Sequence, residues 1–509
     1  MYLKNVFYVI SAVLSLCDGA RILAIVPTPS YSHQLTFKPI WKELSLRGHQ
    51  ITLITTDPIK DPKLVNLTEI DLSDSYKIWN KRLMEMTTSN VFKSIWIMIH
   101  SIFEFEEYQL SHPLVQNLIK SNNESFDVLM LEFILPSYMT FAEKFKCPTI
   151  LLASIDLYST LAKVIGNPYH MTLNPDAFVT HTETLLNRMI TFILNRVINV
   201  VFEFYVYPTE QETVKKYFGT GYPPLKDTLY NSSLTFINSD PVFHRIKALL
   251  PSVIQIGGGI HRTPSKPLPK ELQKILDSAK DGFIYFSLGS NVKSKDLTSE
   301  TRNVILETFS ELPYTILWKF ELENLPNKPN NVITSKWFPQ QDVLRHPNIK
   351  LFITQCGLQS MDEAIYEHVP MIGMPFFVDQ IPNTDKMVKR GFGLSIDYKT
   401  LAKENFKDTI LEVIGNPKYK KRLKELTELA LDQPMTGLEK AIWWTEYVIR
   451  HKGATHLRSP LLDVPTYQYY LMDVIAVFFI ISIATITLSI ILVKCIFRLI
   501  FKKTKLKVN

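Results

Sequence analysis

Cysteine is scarce in this sequence and does not cluster. The 509 residues include four cysteines, Cys17, Cys147, Cys356 and Cys495. The first lies in an N-terminal apolar segment and the last borders a C-terminal one, which leaves Cys147 and Cys356 for the body of the chain. We expect these two in different domains, so no structural disulfide is predicted. The sequence also lacks a D-x-D motif and a His/Cys cluster with metal-ligand spacing, and no catalytic metal site is predicted.

Acidic residues are missing from the C-terminal end, and this absence accounts for most of the net charge. The formal net charge is +7, yet the stretch from Lys494 onward contains six basic residues and no acidic one, which leaves a net charge of +1 for the rest. A nucleic-acid-binding protein needs a basic patch in its folded part. The near-neutral body therefore argues against nucleic acid as a partner. Internal repeats and low-complexity segments are absent as well.

Both ends carry patterns related to membranes. Residues 1–19 contain one lysine, a short apolar run and small residues before Ala20. This pattern is typical of a secretory signal peptide cut after Gly19, and the shortness of the run disfavours the alternative of a retained signal anchor. Residues 474–493 are uncharged and long enough to cross a bilayer core of about 30 Å. The basic residues after them predict a cytosolic tail over 494–509 and a lumenal body.

Two further signals agree with that compartment. Asn66, Asn123 and Asn231 each begin an N-x-Ser/Thr sequon, which is used only in the secretory lumen. The last five residues, 505–509, read K-L-K-V-N and resemble the dilysine retrieval signal of endoplasmic-reticulum membrane proteins, with a solvated basic tail as the alternative. We therefore predict a single-pass type I protein of the endoplasmic-reticulum membrane.

The first half of the body has the pattern of a parallel sheet. Strand-like apolar runs at 21–26 and 51–55 are separated by a loop at 27–33 and an amphipathic helix at 37–47. Further strands are predicted at 127–131, with Glu132 at the end, and at 149–153. In open parallel sheets ligands gather outside the carboxyl ends of the strands. His33 and Glu132 are both predicted at that edge.

Two segments of this half are long, apolar and sparsely charged. Residues 91–105 and 185–204 are rich in aromatic and aliphatic side chains. They are interpreted either as buried helices or as a lid over an apolar pocket or a surface that leans on a membrane. We expect a mixture of these.

The second half contains the most informative run of the chain. Residues 352–364 read F-I-T-Q-C-G-L-Q-S-M-D-E-A, and residues 369–380 read V-P-M-I-G-M-P-F-F-V-D-Q. A buried strand here turns into a helix, whose unpaired N–H groups and partial positive charge suit a phosphate. Glu363 lies about two turns into that helix. The next strand delivers Asp379 and Gln380, a carboxylate and an amide suited to sugar hydroxyls.

These runs carry a family resemblance. Together with W-F-P-Q at 337–340, they resemble the donor-binding signature of the UDP-glycosyltransferases, the animal UDP-glucuronosyltransferases and UDP-glucosyltransferases that conjugate small molecules. The resemblance also includes glycines 257–259, F-S-L-G-S at 286–290, the early His33 and the C-terminal tail, so it covers nearly the whole chain.

The resemblance implies an α/β fold of the GT-B type, with two facing Rossmann-like domains of parallel sheets. The expected boundaries are an acceptor-binding domain at 20–256, a linker at 257–280, a UDP-sugar-binding domain at 281–450 whose terminal helix crosses back, a membrane-proximal segment at 451–473 and the transmembrane helix. The implied reaction is an inverting transfer of a hexosyl or glucuronosyl group from a UDP-sugar to a hydroxyl of a small lipophilic acceptor. Homo-oligomerisation is left open.

The resemblance also assigns site residues. His33 matches the catalytic base, and Glu132 its carboxylate partner, where relatives often carry aspartate. Trp337 would stack on uracil, Gln340 would hydrogen-bond uracil or ribose, and Glu363 would accept the ribose hydroxyls. Asp379 and Gln380 would hold the sugar. The diphosphate and remaining donor contacts are assigned to Ser287, Ser290, Gln355, Gly357 and Gln359. No metal ligand is implied.

The sequence departs from the family pattern at two adjacent positions. Most animal relatives have histidine where this chain has Gln355, and glycine where it has Cys356. These departures keep open a catalytically silent, membrane-tethered binder of small lipophilic molecules as the alternative function. The run F-S-L-G-S-N-V resembles that of invertebrate members and favours UDP-glucose over UDP-glucuronate as donor.

Overall fold

The structure, a computed structural model, describes residues 19–87, 89, 91–173, 184–376 and 379–505. All but the last residue of the signal peptide expected over residues 1–19, and all but the first residue of the K-L-K-V-N ending, therefore lie outside the described residues. The described chain divides into two compact units, residues 1–458 and residues 459–509.

The first domain is built on a parallel sheet of seven strands in the order β3-β2-β1-β4-β5-β6-β7. The strands are β1 (Arg21–Val26), β2 (Gln50–Thr55), β3 (Leu67–Asp71), β4 (Val128–Glu132), β5 (Thr149–Ala153), β6 (Leu234–Ile237) and β7 (Val253–Gln255). The helices are α1 (Tyr31–Leu46), α2 (Ser75–Thr87), α3 (Val91–Ser111), α4 (Pro113–Lys120), α5 (Thr140–Phe145), α6 (Ser159–Val164), α7 (Leu185–Val201), α8 (Tyr207–Tyr217) and α9 (Leu225–Leu229).

Helices cover both faces of this sheet, and the sequence of β1 shows why. Leu23 and Ile25 pack into the core cluster on one face, whereas Ile22, Ala24 and Val26 pack into the cluster on the other. Because side chains alternate along a strand, a strand buried on both faces is apolar throughout.

The second domain repeats this design with a parallel sheet of six strands in the order β10-β9-β8-β11-β12-β13. The strands are β8 (Phe283–Ser287), β9 (Thr315–Lys319), β10 (Val332–Ser335), β11 (Ile349–Thr354), β12 (Met371–Gly373) and β13 (Gly393–Ser395). The helices are α10 (Lys270–Asp277), α11 (Ser299–Ser310), α12 (Gln340–Leu344), α13 (Leu358–Tyr366), α14 (Gln380–Arg390), α15 (Lys403–Gly415), α16 (Lys418–Leu431) and α17 (Gly437–His451).

Helix α17 packs against the first domain, although it follows the last strand of the second. Its apolar side chains Ala441, Ile442 and Val448 join the core cluster that contains β1. A capping box formed by Thr436 and Glu439 begins the helix. The two domains are therefore joined by this helix as well as by the linker.

The second unit contains α18 (Thr466–Tyr469) and the long α19 (Met472–Lys505). Residues Met472–Leu499 of α19 are long and apolar enough to cross a membrane, and an 18-residue stretch within them reaches a mean hydropathy of 2.8. The helix thus extends beyond the uncharged stretch at 474–493 at both ends.

One sequence expectation for the first domain needs correction. Helix α1 begins at Tyr31, six residues before the expected start at 37, so His33 lies in the first helical turn and not in a loop. The inward positions near this start are Gln34 and Thr36, which are buried and hydrogen-bonded; hydrophobic periodicity therefore did not reveal the start.

The two apolar segments differ in burial. Helix α7 is largely exposed, whereas α3 buries side chains such as Ile99 and Phe105. Residues 91–105 and 185–204 therefore form the mixture of buried and exposed helix that the sequence suggests.

Candidate active site

The carboxyl ends of β1, β4 and β5 hold a histidine and its polar partners. His33 Nδ1 lies 2.5 Å from Oε1 of Glu132, and Oγ of Ser154, just after β5, lies 2.8 Å from the same nitrogen. The Thr28 hydroxyl donates to the second oxygen of Glu132 at 2.6 Å. Glu132 is fully buried, whereas 23 % of the His33 side chain is exposed. One end of the imidazole is therefore anchored and the other is accessible.

The surroundings of His33 set both its tautomer and its pKa. A carboxylate at Nδ1 favours the tautomer with the proton on Nδ1, which leaves Nε2 as an acceptor. Burial alone would lower the pKa of His33, but the charge and hydrogen bond of Glu132, helped by the charge of Asp379, raise the pKa above its ordinary value. The group can therefore accept a proton at Nε2 and hold it.

Asp379 belongs to the second domain and acts electrostatically on this histidine. It precedes α14, where its Oδ2 accepts from Nδ2 of Asn383 at 3.0 Å. The same amide donates to the carbonyl of Cys356 at 3.1 Å. Burial raises the pKa of Asp379, and His33 and Lys386 oppose that shift. The carboxylate of Asp379, from the second domain, thus acts by its charge on the imidazole of His33, from the first.

The loop between β11 and α13 joins a buried strand to the start of a helix, as the sequence predicts. Gly357 occupies the N-cap position of α13, and no side chain caps the helix. The preceding Cys356 is fully buried and has a φ of +64°, in the left-handed region. Glycine adopts this conformation without steric cost. The backbone geometry thus explains why a glycine suits this position.

Gln355 lies between this loop and the loop that follows β8. Its Oε1 accepts from the Thr354 hydroxyl at 2.9 Å, and its Nε2 lies against Gly289, where a Cβ atom would come within 2.0 Å. Ser287 is buried and its Oγ accepts from the N–H of Gly289, while Ser290 is half-buried in the same loop. The structure therefore brings Ser287, Gln355 and Gly357 to adjoining loops.

The carboxylate of Glu363 is held by two neighbouring amides. Gln340 Nε2 donates to one oxygen at 2.6 Å and Gln341 Nε2 to the other at 3.0 Å. The Tyr285 hydroxyl in turn donates to Oε1 of Gln340. Although burial alone would raise the pKa of Glu363, its hydrogen bonds and the charge of His261 lower it. The group is thus kept ionised and fixed in direction.

Trp337 lies three residues before Gln340 in sequence but has a different environment. Its side chain is 56 % exposed and meets Tyr31 of the first domain edge to face at 5.7 Å. The ammonium group of Lys319 lies over the indole at 5.6 Å. An exposed ring with one covered face can stack on a planar ligand.

Two of the expected donor-binding side chains make protein contacts that the sequence did not suggest. Gln359 Nε2 donates across the domain boundary to Thr36 Oγ1 at 3.0 Å and to the carbonyl of Ser154 at 3.3 Å. Gln380 accepts through Oε1 from the N–H of Phe376 at 2.9 Å. In this structure Gln359 therefore bridges the domains, and Gln380 links the first residue of α14 to Phe376.

Sequence reasoning missed the residues that support the site. They are Thr28 and Ser154 around the histidine, Asn383 beside Asp379, and Gln341 and His261 around Glu363. Most of these contacts are tertiary. The local signals were that Asn383 follows Asp379 by four residues, that Gln341 adjoins Gln340, and that His261 follows the glycine-rich stretch at 257–259. Among the described residues, no group of three or more histidine, cysteine, aspartate or glutamate side chains has the arrangement of a metal site.

A protein-family model described as "UDP-glucoronosyl and UDP-glucosyl transferase" matches residues 21–507. UDP-glycosyltransferase UGT5 of Dactylopius coccus is 34% identical over 499 residues, which cover 94% of this chain and 93% of that protein. UDP-glucuronosyltransferase 2B15 of Homo sapiens is 30% identical over 534 residues, which cover 99% of this chain and 98% of that protein.

Solved structures confirm the fold. The crystal structure of the glycotransferase of kitacinnamycin superposes with a TM-score of 0.58 at 15% identity, covering 86% of this chain and 99% of that one. The two parallel sheets are those of two Rossmann-like domains. Together with this similarity they identify the GT-B architecture that the sequence predicts. The comparisons do not favour a silent binder. The chain belongs to the family of UDP-glucuronosyl and UDP-glucosyl transferases and is a UDP-glycosyltransferase that takes its sugar from a UDP-sugar.

Proposed function

We propose that this enzyme transfers a glucosyl or glucuronosyl group, with inversion, to a hydroxyl of a small lipophilic acceptor. In this reaction the acceptor oxygen attacks the anomeric carbon from the face opposite UDP. The bond from that carbon to the β-phosphate oxygen breaks, and its electron pair leaves with UDP. The proton of the acceptor hydroxyl passes to Nε2 of His33. One displacement of this kind inverts the anomeric configuration.

The observation that carries the proposal is the anchored imidazole. Glu132 holds Nδ1 of His33 at 2.5 Å, so Nε2 is the nitrogen left to take the proton, and the buried carboxylate stabilises the imidazolium that forms. A general base contributes typically 10²–10⁴-fold to a rate, as an order of magnitude. Glutamate in place of the aspartate of many relatives thus preserves the contact that a histidine base requires.

The roles of the donor-binding residues follow from their surroundings. Glu363, fixed by Gln340 and Gln341, suits the two ribose hydroxyls, since an ionised carboxylate accepts from both. Exposed Trp337 suits the uracil ring. The N-terminus of α13 at Gly357, with Gln355 and the serines of the β8 loop, suits the diphosphate.

The remaining assignments concern the sugar and the acceptor. Asp379 and Gln380 are proposed to hold the transferred sugar, because they begin α14 next to the histidine. The acceptor is proposed to bind in the first domain, which supplies His33. The apolar α19 is proposed to anchor the enzyme in the endoplasmic-reticulum membrane with the catalytic body in the lumen.

One experiment tests the reaction and the donor together. Microsomes from cells expressing the chain are offered UDP-glucose or UDP-glucuronate with a panel of phenols and sterols, and glycosides are detected by mass spectrometry. Transfer from one donor, lost in His33→Ala but not in His451→Ala, supports the proposal. Absence of every glycoside, with UDP binding intact, would favour the silent binder.

A further inference from the structure

The side chain of Asn383 joins two parts of the site that are separate in sequence. Asn383 lies near the start of α14 and is buried. Its Nδ2 group donates to Oδ2 of Asp379, the residue before α14, at 3.0 Å, and to the carbonyl of Cys356, between β11 and α13, at 3.1 Å. An amide nitrogen carries two hydrogens, so these two bonds use both of them. One NH₂ group therefore holds the carboxylate and the loop together.

The orientation of this amide is set by Lys386, three residues further along α14. The ammonium group of Lys386 donates to Oδ1 of Asn383 at 3.3 Å. If the amide were turned over, its oxygen would meet a carboxylate and a carbonyl, both of which only accept, and its NH₂ group would meet a cation that only donates. The amide thus has one favourable orientation, with both N–H groups directed at Asp379 and Cys356.

The same surroundings act on the charge of Asp379. Burial raises the pKa of Asp379, whereas the charges of His33 and Lys386 and the hydrogen bond from Asn383 oppose that shift. A hydrogen bond donated to a carboxylate favours its ionised form. Asn383 therefore supports the form of Asp379 that accepts hydrogen bonds through both oxygens.

The second partner, Cys356, is a non-glycine residue in the left-handed region, with a φ of +64°. This conformation is sterically unfavourable for a residue with a Cβ atom. The N–H of Cys356 donates to the Thr354 hydroxyl at 3.3 Å, and its carbonyl accepts from Asn383. The peptide groups on both sides of the residue are thus held. Support of a strained loop is the structural role that an experiment has to separate from a role in the reaction.

We propose that Asn383 is a positioning residue that holds the carboxylate of Asp379 in register with the loop at residues 355–357. The proposal rests on the sugar-holding role proposed for Asp379 and on the diphosphate role proposed for that loop. The transferred sugar is bonded to the diphosphate, so its anomeric carbon lies correctly for attack only when both groups are held at a fixed separation. A group that bonds both holding elements sets that separation.

The proposal distinguishes the complete donor from its leaving group. UDP has no sugar and makes no use of Asp379. Loss of the Asn383 amide should therefore weaken binding of a UDP-sugar much more than binding of UDP. If Asn383 served only to hold the loop around Cys356, both ligands would lose affinity equally, because both contain the diphosphate.

Titration calorimetry on the purified full-length protein measures this difference. UDP, UDP-glucose and UDP-glucuronate are titrated without an acceptor, and the UDP-sugar that the parent binds more tightly is compared with UDP. Asn383→Ala should bind this UDP-sugar about tenfold more weakly, the scale of one hydrogen bond to a charged group, and UDP within about twofold of the parent. Asp379→Ala should show the same selective loss. Adding Asn383→Ala to Asp379→Ala should then cost little more, because the two residues act as one unit.

Asn331 provides a matched control in the same domain. Its amide also donates to backbone carbonyls, those of Phe309, Leu312 and Tyr314. Asn331→Ala should leave the ratio of UDP-sugar affinity to UDP affinity unchanged. Asn383→Asp, which keeps the shape of the side chain without the NH₂ group, provides a second variant should Asn383→Ala fold poorly. Binding of UDP verifies the fold of each protein.

A third substitution tests the structural role directly. Cys356→Gly removes the steric cost of the left-handed conformation. Added to Asn383→Ala, it should not restore UDP-sugar affinity. Restoration, equal losses for UDP and the UDP-sugar in Asn383→Ala, or no loss for either would overturn the proposal. An unchanged affinity ratio in Asp379→Ala would instead remove the sugar-holding role of Asp379, and the positioning role with it, whereas a selective loss in Asp379→Ala alone would overturn only the role of Asn383.

Discussion

At the scale of single residues, the roles of Glu132 and His33 can be distinguished by how kcat/KM depends on pH in a variant of each. Glu132→Gln keeps a side chain that can hydrogen-bond His33 but removes the charge that raises the pKa of His33. The base must be neutral to act, so activity rises with pH through this pKa. The acid limb of kcat/KM is therefore expected above pH 6.5 in the parent, and at lower pH in Glu132→Gln. His33→Ala should lower turnover by about 10²-fold or more at every pH.

Binding of UDP provides the control for these two substitutions. His33 and Glu132 both belong to the first domain, and UDP is proposed to bind the second. Titration calorimetry should therefore find UDP affinity unchanged in both variants. A loss of UDP binding in either one would contradict this division between the domains.

Compared with the histidine that most animal relatives have at this position, Gln355 is expected to weaken UDP binding without abolishing it. A charge-assisted hydrogen bond contributes about 1.5–3 kcal/mol and a neutral one about 0.5–1.5 kcal/mol, a difference of about tenfold in affinity. Gln355→His should therefore tighten UDP modestly, more so below about pH 6.5, and Gln355→Ala should weaken it. Calorimetry on the purified protein measures both. No binding at millimolar UDP in the parent and in Gln355→His would contradict a functional donor site.

The residues that could be predicted from the sequence are those that act through local pattern. Gly357 and Glu363 lie on one strand-turn-helix, and His33 follows the first strand, so spacing along the chain located them. Thr28, His261 and Asn383 could not be found in this way. Thr28 and His261 contact residues about a hundred positions away, and Asn383, four residues after Asp379, also bonds the carbonyl of Cys356 on another segment. Nothing in a short run of residues indicates that these side chains will meet.

At the scale of elements, α3 and α8 are joined by two buried carboxyl groups. Glu106 on α3 accepts from the Ser137 hydroxyl, and Glu210 on α8 accepts from the Ser137 N–H at 2.9 Å. Burial raises the pKa of Glu210 to about 7 and that of Glu106 well above its ordinary value, where the charge of Glu210 adds to the effect. The fold therefore favours the protonated form of this pair.

This pair makes stability depend on pH in a defined direction. Because the pKa of Glu210 is higher in the folded state, folding binds protons between about pH 4.5 and 7, and this contribution to stability is lost as the pH rises through that window. Glu210→Gln should flatten the fall in melting temperature between about pH 4.5 and 7. Glu212→Gln, an exposed residue on the same helix, should leave the fall unchanged. If the melting temperature of Glu210→Gln fell with pH as steeply as that of the parent, the pH dependence could not be assigned to Glu210.

Element boundaries followed hydrophobic periodicity where that signal existed. Strands such as Arg21–Val26 and Thr149–Ala153 were predicted to the residue because they are apolar throughout and buried on both faces. The start of α1 was missed because buried polar side chains interrupt its pattern. The environment of α7 could not be predicted, since an apolar helix has the same sequence pattern whether protein or lipid covers it.

At the scale of the whole molecule, Gln359 tests how the two domains cooperate. Its amide donates to Thr36 and to the carbonyl of Ser154 in the first domain, so Gln359→Ala removes two bonds across the cleft. At about 1 kcal/mol for each bond, or about 2 kcal/mol for the two, kcat/KM should fall by about thirtyfold, while UDP affinity stays within about twofold. An equal fall in UDP affinity would instead support the donor-binding role expected from the sequence.

The orientation of the molecule in the membrane can be determined from its sequons. A lumenal body would expose Asn123 and Asn231, which lie on the surface, to glycosylation, whereas the amide of half-buried Asn66 donates to the carbonyl of Ser45. We therefore expect Asn123→Gln and Asn231→Gln each to remove one endoglycosidase-sensitive mass step, and Asn66→Gln to remove none. Protease added to sealed microsomes should clip only the basic tail after α19, because the membrane would protect the body. An unglycosylated chain whose body is digested in sealed microsomes would place the active site in the cytosol and contradict the type I orientation.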